Sequence, residues 1–376
     1  MTSTVPRSLR TALALVLILM SATWVGPAAR TLAQEPSAGI EEFPATPSDH
    51  PPGASPAVWA AAAAMGRGVN FGNMLEAPEE GAWGLVVRDE FIDAVAAAGF
   101  TTVRLPVRWS NHAAAAAPFT IDAGFLDRVT SVVDKLLARD LYVVLNMHHY
   151  HQLDGDPLDG GEFAVDDAVV DVRFLTLWRQ IAEHFRDEPG RLLFELYNEP
   201  HRRLTAARWN DLAARALGVI REANPDRIVV IGPVNWNQAT ALSSLRLPDD
   251  ADLIATIHDY RPFDFTHQGA DWVRPIPPVG VTCCDAGQRA AAAAPLTAAK
   301  AWADVAGYPV FLGEFGAYSK ADMPSRVTYT RFVREQAEAR GFPWAYWELA
   351  AGFGVYDPVA HTWRVPLEDA LLGRDP

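Results

Sequence analysis

The strongest constraint on this chain is an alternation. Short β-rich runs recur at residues 68–71, 102–106, 142–147, 192–197, 228–231, 253–257, 309–313 and 343–347, with helical stretches between most of them. Phe125, Val129, Val132, Val133, Leu136 and Leu137 fall at the spacing of one helix face, as do Phe174, Leu177, Trp178, Ile181 and Phe185. Strands alternating with helices build a parallel sheet, and eight such units close a (β/α)8 TIM barrel. An open, doubly wound sheet is the alternative, but no glycine-rich dinucleotide fingerprint or phosphate-binding loop follows any of the runs. The expectation is one α/β domain, a (β/α)8 barrel spanning residues 61–376.

The chain ahead of the barrel reads differently. Arg7 and Arg10 precede an apolar stretch from Leu13 to Met20, and small residues follow as far as Thr31-Leu32-Ala33. That order is the one of a secretory signal peptide over residues 1–33, cleaved near Ala33. An uncleaved membrane anchor is the competing reading, because residues 11–29 just reach the length of a bilayer span. Residues 34–60, rich in Pro, Ala, Ser and acidic residues at their start, read as a tether. The alanine tracts at 60–64, 113–117 and 290–294 are expected to reflect composition. With 46 acidic against 32 basic residues the net charge is −14, which disfavours nucleic acid and suits a neutral ligand. Cys283 and Cys284 are the two cysteines and are adjacent, so no disulfide framework holds the fold.

In a (β/α)8 barrel the site lies at the C-terminal ends of the strands. The residues there are Asn70 and Asn73 after the first run, Arg104 in the second, His148 and His149 after the third, and Asn198 and Glu199 after the fourth. Asn235 and Trp236 follow the fifth, His258 and Tyr260 the sixth, Glu314 the seventh, and Trp347 ends the eighth. Glu199 and Glu314 matter most. A carboxylate closing a buried strand packs badly, and two on one rim are what glycosidic-bond cleavage requires: one protonates the leaving oxygen, the other attacks the anomeric carbon.

RLPV with Arg104, NMHHY with His148, LYNEP with Glu199, HDYRPFDFTHQGADW with His258 and Tyr260, LGEFG with Glu314 and YWEL with Trp347 together resemble glycoside hydrolase family 5. The opening GVNFGNMLEAPEEGAWG is similar to that of its bacterial endoglucanases, and the likeness runs from about Gly66 to Pro376. It implies a retaining mechanism with Glu199 as acid/base and Glu314 as nucleophile. Arg104 and Tyr260 are then expected to keep Glu314 ionised, His258 to tune Glu199, and Asn198 to reach the sugar 2-hydroxyl. By the same resemblance Trp347 is the platform under the sugar at the cleavage point, His267 and Trp272 reach its non-reducing side, and Asn73 and Glu76 bond the next sugar. Trp236 is expected on the leaving-group side, His148 beside the cleaved sugar, and His149 behind it or in the adjacent subsite.

The resemblance implies a β-1,4-glucan endohydrolase, with β-mannan or an exo-acting β-glucosidase as alternatives and a non-catalytic carbohydrate-binding barrel as the reading of another class. No cofactor is expected. A metal at His148 and His149 is disfavoured because neighbours on a strand point to opposite sides and no further ligands stand at matching spacing. The ligand is expected to be a β-1,4-linked polysaccharide or oligosaccharide, with membrane contact restricted to an uncleaved leader, the protein secreted and monomeric. Residues 275–287 carry no assignment: they either wall the cleft or pack outside it.

Overall fold

All eight apolar runs become strands. In the computed structural model, which describes residues 53–374, they are β1 (Arg67–Asn70), β2 (Thr102–Leu105), β3 (Tyr142–Asn146), β4 (Leu192–Glu195), β5 (Val229–Ile231), β6 (Leu253–His258), β7 (Val310–Glu314) and β8 (Trp344–Tyr346). They pair in parallel in sequence order, and β8 pairs back onto β1 to close the barrel. The major helices are α1 (Pro56–Met65), α2 (Asp89–Ala98), α3 (Ala123–Leu137), α4 (Val170–His184), α5 (Ala206–Ala223), α6 (Ala286–Ala306), α7 (Met323–Glu338) and α8 (Val365–Leu372). A 3-10 stretch, Ala239–Ser244, stands between β5 and β6 where the other crossovers carry a full helix.

The helices form where their sequences mark both a start and an apolar face. Asp122 accepts from the Phe125 backbone N–H at the start of α3, whose six periodic residues are all buried. Asp285 and Gln288 close a capping box on α6.

One expected boundary moves. The sequence places the end of the tether at residue 60, but residues 56–60 are the first half of α1, capped by Ser55, which accepts from the Val58 N–H. The 60–64 alanine tract is likewise a working part of this helix. Val58, Ala62 and Met65 share one face and pack on Val144, Leu193, Val230, Ile254, Phe311 and Ala345 from six strands. Since β1 begins directly after Gly66, α1 plugs the N-terminal mouth of the barrel. Gly66 makes the turn at φ 51, a conformation glycine adopts without a Cβ penalty. The remaining leader, residues 1–52, lies outside the described residues. Among the described residues, no helix is long and apolar enough to cross a membrane.

The β6–β7 pairing slips by one residue between Ile257 and His258, so that His258 stands opposite Glu314. Such a bulge re-aims a side chain, and bulges cluster at active sites. Gly313 is the residue passed over: a Cβ there would lie 2.9 Å from the His258 Nε2. The 275–287 loop contributes no residue to the cleft described below. It is held from behind by Gln268, which accepts from the Gly280 and Val281 N–H groups, and its Cys283 and Cys284 are bonded to each other.

If α1 is a structural plug, Met65→Ala should cost about 2–5 kcal/mol, measured as a lower urea midpoint with an unchanged slope.

Candidate active site

Arg104, buried in β2, organises the floor of the barrel mouth. A guanidinium has five N–H donors, and each has an acceptor here. Nε and Nη2 form a forked pair with Glu195, at 2.6 and 2.8 Å. Nη1 donates to Asn70 Oδ1 at 2.9 Å and to Glu314 Oε1 at 2.7 Å, and Nη2 also donates to Asn198 Oδ1 at 2.7 Å. Burial opposes the charge, but Glu195 and Glu314 outweigh it and raise the Arg104 pKa above its usual value. Asn70 ties this hub to the barrel by donating to the Gly313 carbonyl at 2.9 Å. With its oxygen taken by Arg104, Asn198 has its amide N–H groups left to serve as donors.

The two carboxylates sit in different surroundings. Glu314, at the end of β7, accepts from Arg104 and from the Tyr260 hydroxyl at 2.8 Å. Burial raises its pKa above the ordinary 4.5, with His258 and Arg104 pulling it down, Glu199 adding to the rise and the Tyr260 bond opposing it. Glu199, on the loop after β4, is 23% exposed at its side chain and meets His258 Nδ1 at 2.7 Å. Its carboxyl is pushed up to about 7, chiefly by burial against the cleft wall. Burial also pulls His258 down to about 4, so the ring is neutral at pH 7. Asn237 Nδ2 faces His258 Nε2 at 3.3 Å. An amide nitrogen only donates, so the ring carries its proton on Nδ1 and gives it to Glu199 Oε1, leaving Oε2 for a transferable proton. An oxygen of Glu199, an oxygen of Glu314 and a ring nitrogen of His258 lie within 4.8 Å of one another. That fits the roughly 5–5.5 Å carboxyl separation of retaining glycosidases and is too short for the roughly 6.5–9.5 Å of inverting ones.

Above this pair opens a cleft of about 1220 Å³, larger than the ~300–1,000 Å³ that encloses a drug-sized ligand. Asn73, His148, His149, Asn198, Trp236, His258, Tyr260, His267, Trp272 and Trp347 all line it with Glu199 and Glu314. Trp347 stacks on His148 at 5.8 Å and 14°. His148 Nδ1 faces the Asn146 amide nitrogen at 3.3 Å, so its proton sits on Nε2. His267 stacks on Phe263 at 4.2 Å, and burial lowers its pKa to about 4. Trp236 and Trp272 are exposed by 45% and 55%.

Two expectations are corrected. Glu76 does not reach the cleft: it is fully buried and accepts from the Asn73 and Met74 N–H groups. It shapes the loop that presents Asn73. His148 and His149 do not point to opposite sides. β3 stops at Asn146, His149 has φ 53, and the two rings stand 4.4 Å apart on the same cleft.

Other residues were missed. Glu195 carries a signal in hindsight, a charge inside the apolar run LLFEL. Trp83, on the loop after β1, lines the cleft with 42% exposure, its face toward Arg108 and its ring nearly perpendicular to that of His149. Asn237 and His201 had no signal, because their positions depend on backbone turns. Asn235, Trp236 and Asn237 have φ values of 60, 57 and 53, and Glu199 has φ 52. Asn tolerates this left-handed conformation; for Glu and Trp it costs about 1–3 kcal/mol each.

The barrel, the close carboxylate pair and the aromatic cleft define the class as that of the retaining glycoside hydrolases. The model for cellulase (glycosyl hydrolase family 5) matches residues 64–352, and the chain belongs to that family. Endoglucanase H of Acetivibrio thermocellus is 37% identical over 316 residues, covering 82% of this chain but 33% of that relative, so this chain spans about a third of its length. Among solved structures, an endoglucanase 45% identical superposes with a TM-score of 0.80 over 84% of this chain and 99% of its own. Thermotoga maritima Cel5A, solved with cellobiose and with mannotriose, is 42% and 41% identical with a TM-score of 0.79 in each, over 83% of this chain and 99% of its own.

Arg104→Met should destabilise by about 3–5 kcal/mol in urea melts, since it strands Glu195 as an uncompensated buried charge. Adding Glu195→Met should restore most of that stability without restoring turnover. The pH profile of kcat/KM should be bell-shaped. A proton donor at Glu199 is lost as pH rises through about 7. An ionised Glu314 is lost as pH falls through a value above 4.5. Glu199→Gln should remove the alkaline limb.

Proposed function

We propose that this chain is an extracellular endo-β-1,4-glucanase working by double displacement, with Glu314 as nucleophile and Glu199 as acid/base. The observation that carries the reading is the carboxylate pair, with one oxygen of each within 4.8 Å of the other, on the floor of an open cleft. Glu314, oriented by Arg104 and Tyr260, attacks the anomeric carbon as the bond to the leaving oxygen breaks. Glu199 gives that oxygen its proton, and an ester joins the sugar to Glu314. Water then attacks the anomeric carbon, Glu199 takes the water's proton, and Glu314 is released as carboxylate. Asn198, its amide turned by Arg104, serves the sugar 2-hydroxyl, and Trp347 with His148 carries the ring being cleaved.

The cleft supports attack within a chain. It continues past the carboxylates toward Trp83 on the loop after β1 and toward Trp272 on the loop after β6. Trp236 takes the leaving-group side, and His267 and Asn73 serve the other. Relatives named endoglucanases and the cellobiose complex of Thermotoga maritima Cel5A favour glucan, while the mannotriose complex of the same protein supports β-mannan as a second reading. Residues 1–33 would export the enzyme.

The test is reducing-sugar release from carboxymethyl-cellulose, mixed-linkage β-glucan and mannan, by protein expressed with its own leader. The expected result is glucan hydrolysis in the medium, an N-terminus near Gln34, and loss to background in Glu314→Ala. Glu199→Ala should lose roughly 10²–10⁴-fold on polymer yet keep activity on glycosides with activated leaving groups. Preference for mannan would move the substrate, and silence on all three would sink the reading.

A further inference from the structure

His201 has no part in the reaction as described, yet it touches the acid and the leaving-group platform together. Its Nδ1 lies 2.6 Å from the Glu199 carbonyl oxygen, the residue held at φ 52. Its ring stacks on Trp236 at 4.7 Å and 19°, and the Trp236 backbone N–H donates to the Pro200 carbonyl at 3.4 Å. The other nitrogen, Nε2, meets Asp156 Oδ2 at 2.8 Å, and Asp154 Oδ1 lies 3.5 Å from Nδ1. Both nitrogens therefore face acceptor oxygens, and only the imidazolium satisfies both. Burial opposes that charge, but Asp154, the Glu199 carbonyl and Asp156 outweigh it and raise the His201 pKa. Three loops meet at one ring: Asp154 and Asp156 follow β3, Glu199 and His201 follow β4, and Trp236 follows β5.

We propose that His201 is a positioning residue that couples a sugar on Trp236 to the placement of Glu199. This rests on Glu199 being the acid. Trp236 lines the cleft, 45% exposed, while its ring stacks on His201. A sugar seated on it restrains the indole, the indole restrains the imidazolium, and Nδ1 holds the backbone from which the acid projects. A misplacement of about 1 Å at a reacting group costs on the order of 10²-fold in rate, so one hydrogen bond at this carbonyl is enough to matter. The imidazolium has a second effect. Its field lowers the proton affinity of Glu199, as Arg104 does and against Glu195, while His258 lies 2.7 Å from Glu199 and 3.6 Å from Glu314. Around His201 itself, His149 from the β3 loop adds a further basic group, Arg202 shares Asp156 with it at 2.8 Å, and burial pushes the Asp154 carboxyl up to about 7.

Two variants separate the parts. His201→Phe keeps a ring for Trp236 but loses the donor, and His201→Asn keeps a donor near the position of Nδ1 but loses the ring. The substrates are cellotetraose, with natural leaving sugars, and 2,4-dinitrophenyl cellobioside, whose leaving group needs no proton and places no sugar on Trp236. His201→Phe should lose roughly 10–100-fold in kcat on cellotetraose and stay within about twofold on the aryl glycoside. His201→Asn should hold kcat within about threefold of wild type and raise KM for cellotetraose. In both, removal of the cation should move the alkaline limb of kcat/KM to higher pH. Equal losses on the two substrates, or no loss on either, overturn the proposal, as does an unmoved alkaline limb. Should His201→Phe fail to fold by thermal melting, Trp236→Ala decides from the other end: lower kcat together with higher KM on cellotetraose supports coupling, and a rise in KM alone overturns it. Glu314→Ala on both substrates reports on the underlying function, and survival of activity there removes that reading and the proposal with it.

Discussion

Five hydrogen bonds from one guanidinium hold the active end of this barrel together. Arg104 reaches Asn70 on β1, Glu195 on β4, Asn198 beyond it and Glu314 on β7, so four side chains from three sectors are oriented by a single planar group. A lysine has three donors on a point charge and cannot reproduce that fork. The charge balance is equally tight. Glu195 and Glu314 together offer more negative charge than Arg104 cancels, and this leaves the floor ready for a developing positive charge on the sugar.

The site separates two chemically identical groups by their neighbours. Glu314 lies against a fixed cation and a phenol, both of which favour its anion. Glu199 lies buried against the cleft wall, which favours its acid, and its histidine neighbour is neutral rather than a cation. Neither environment depends on the carboxylate itself. Each is supplied by residues on other strands, and the β6–β7 bulge sets His258 level with Glu314 and within reach of Glu199.

Most of the floor was legible from the chain because its elements are regular. Strand ends are marked by a change from apolar to polar residues, and eight such ends in a closed parallel barrel must point the same way. Glu199, Glu314, Arg104, His258 and Tyr260 could be gathered on those grounds and by the likeness to a family. The misses share a cause. Glu76, His149, His201 and Asn237 lie on loops where one left-handed residue or one backbone contact redirects a side chain, and residue type alone does not encode that direction. The α1 plug was overlooked because an alanine-rich stretch after a proline-rich one carries little periodic contrast, although Val58, Ala62 and Met65 keep helical spacing.

The sequence by itself determined the barrel, the rim on which the chemistry stands and the two carboxylates there, because hydrophobic periodicity is local and β-strand direction is fixed by the parallel fold. The tertiary structure alone decided the separation of those carboxylates, the forked pairing of Arg104 with Glu195, the burial of Glu76 and the seating of His201 between Glu199 and Trp236. Those depend on distances between residues tens to hundreds of positions apart, and on loop dihedrals that only the packed whole selects.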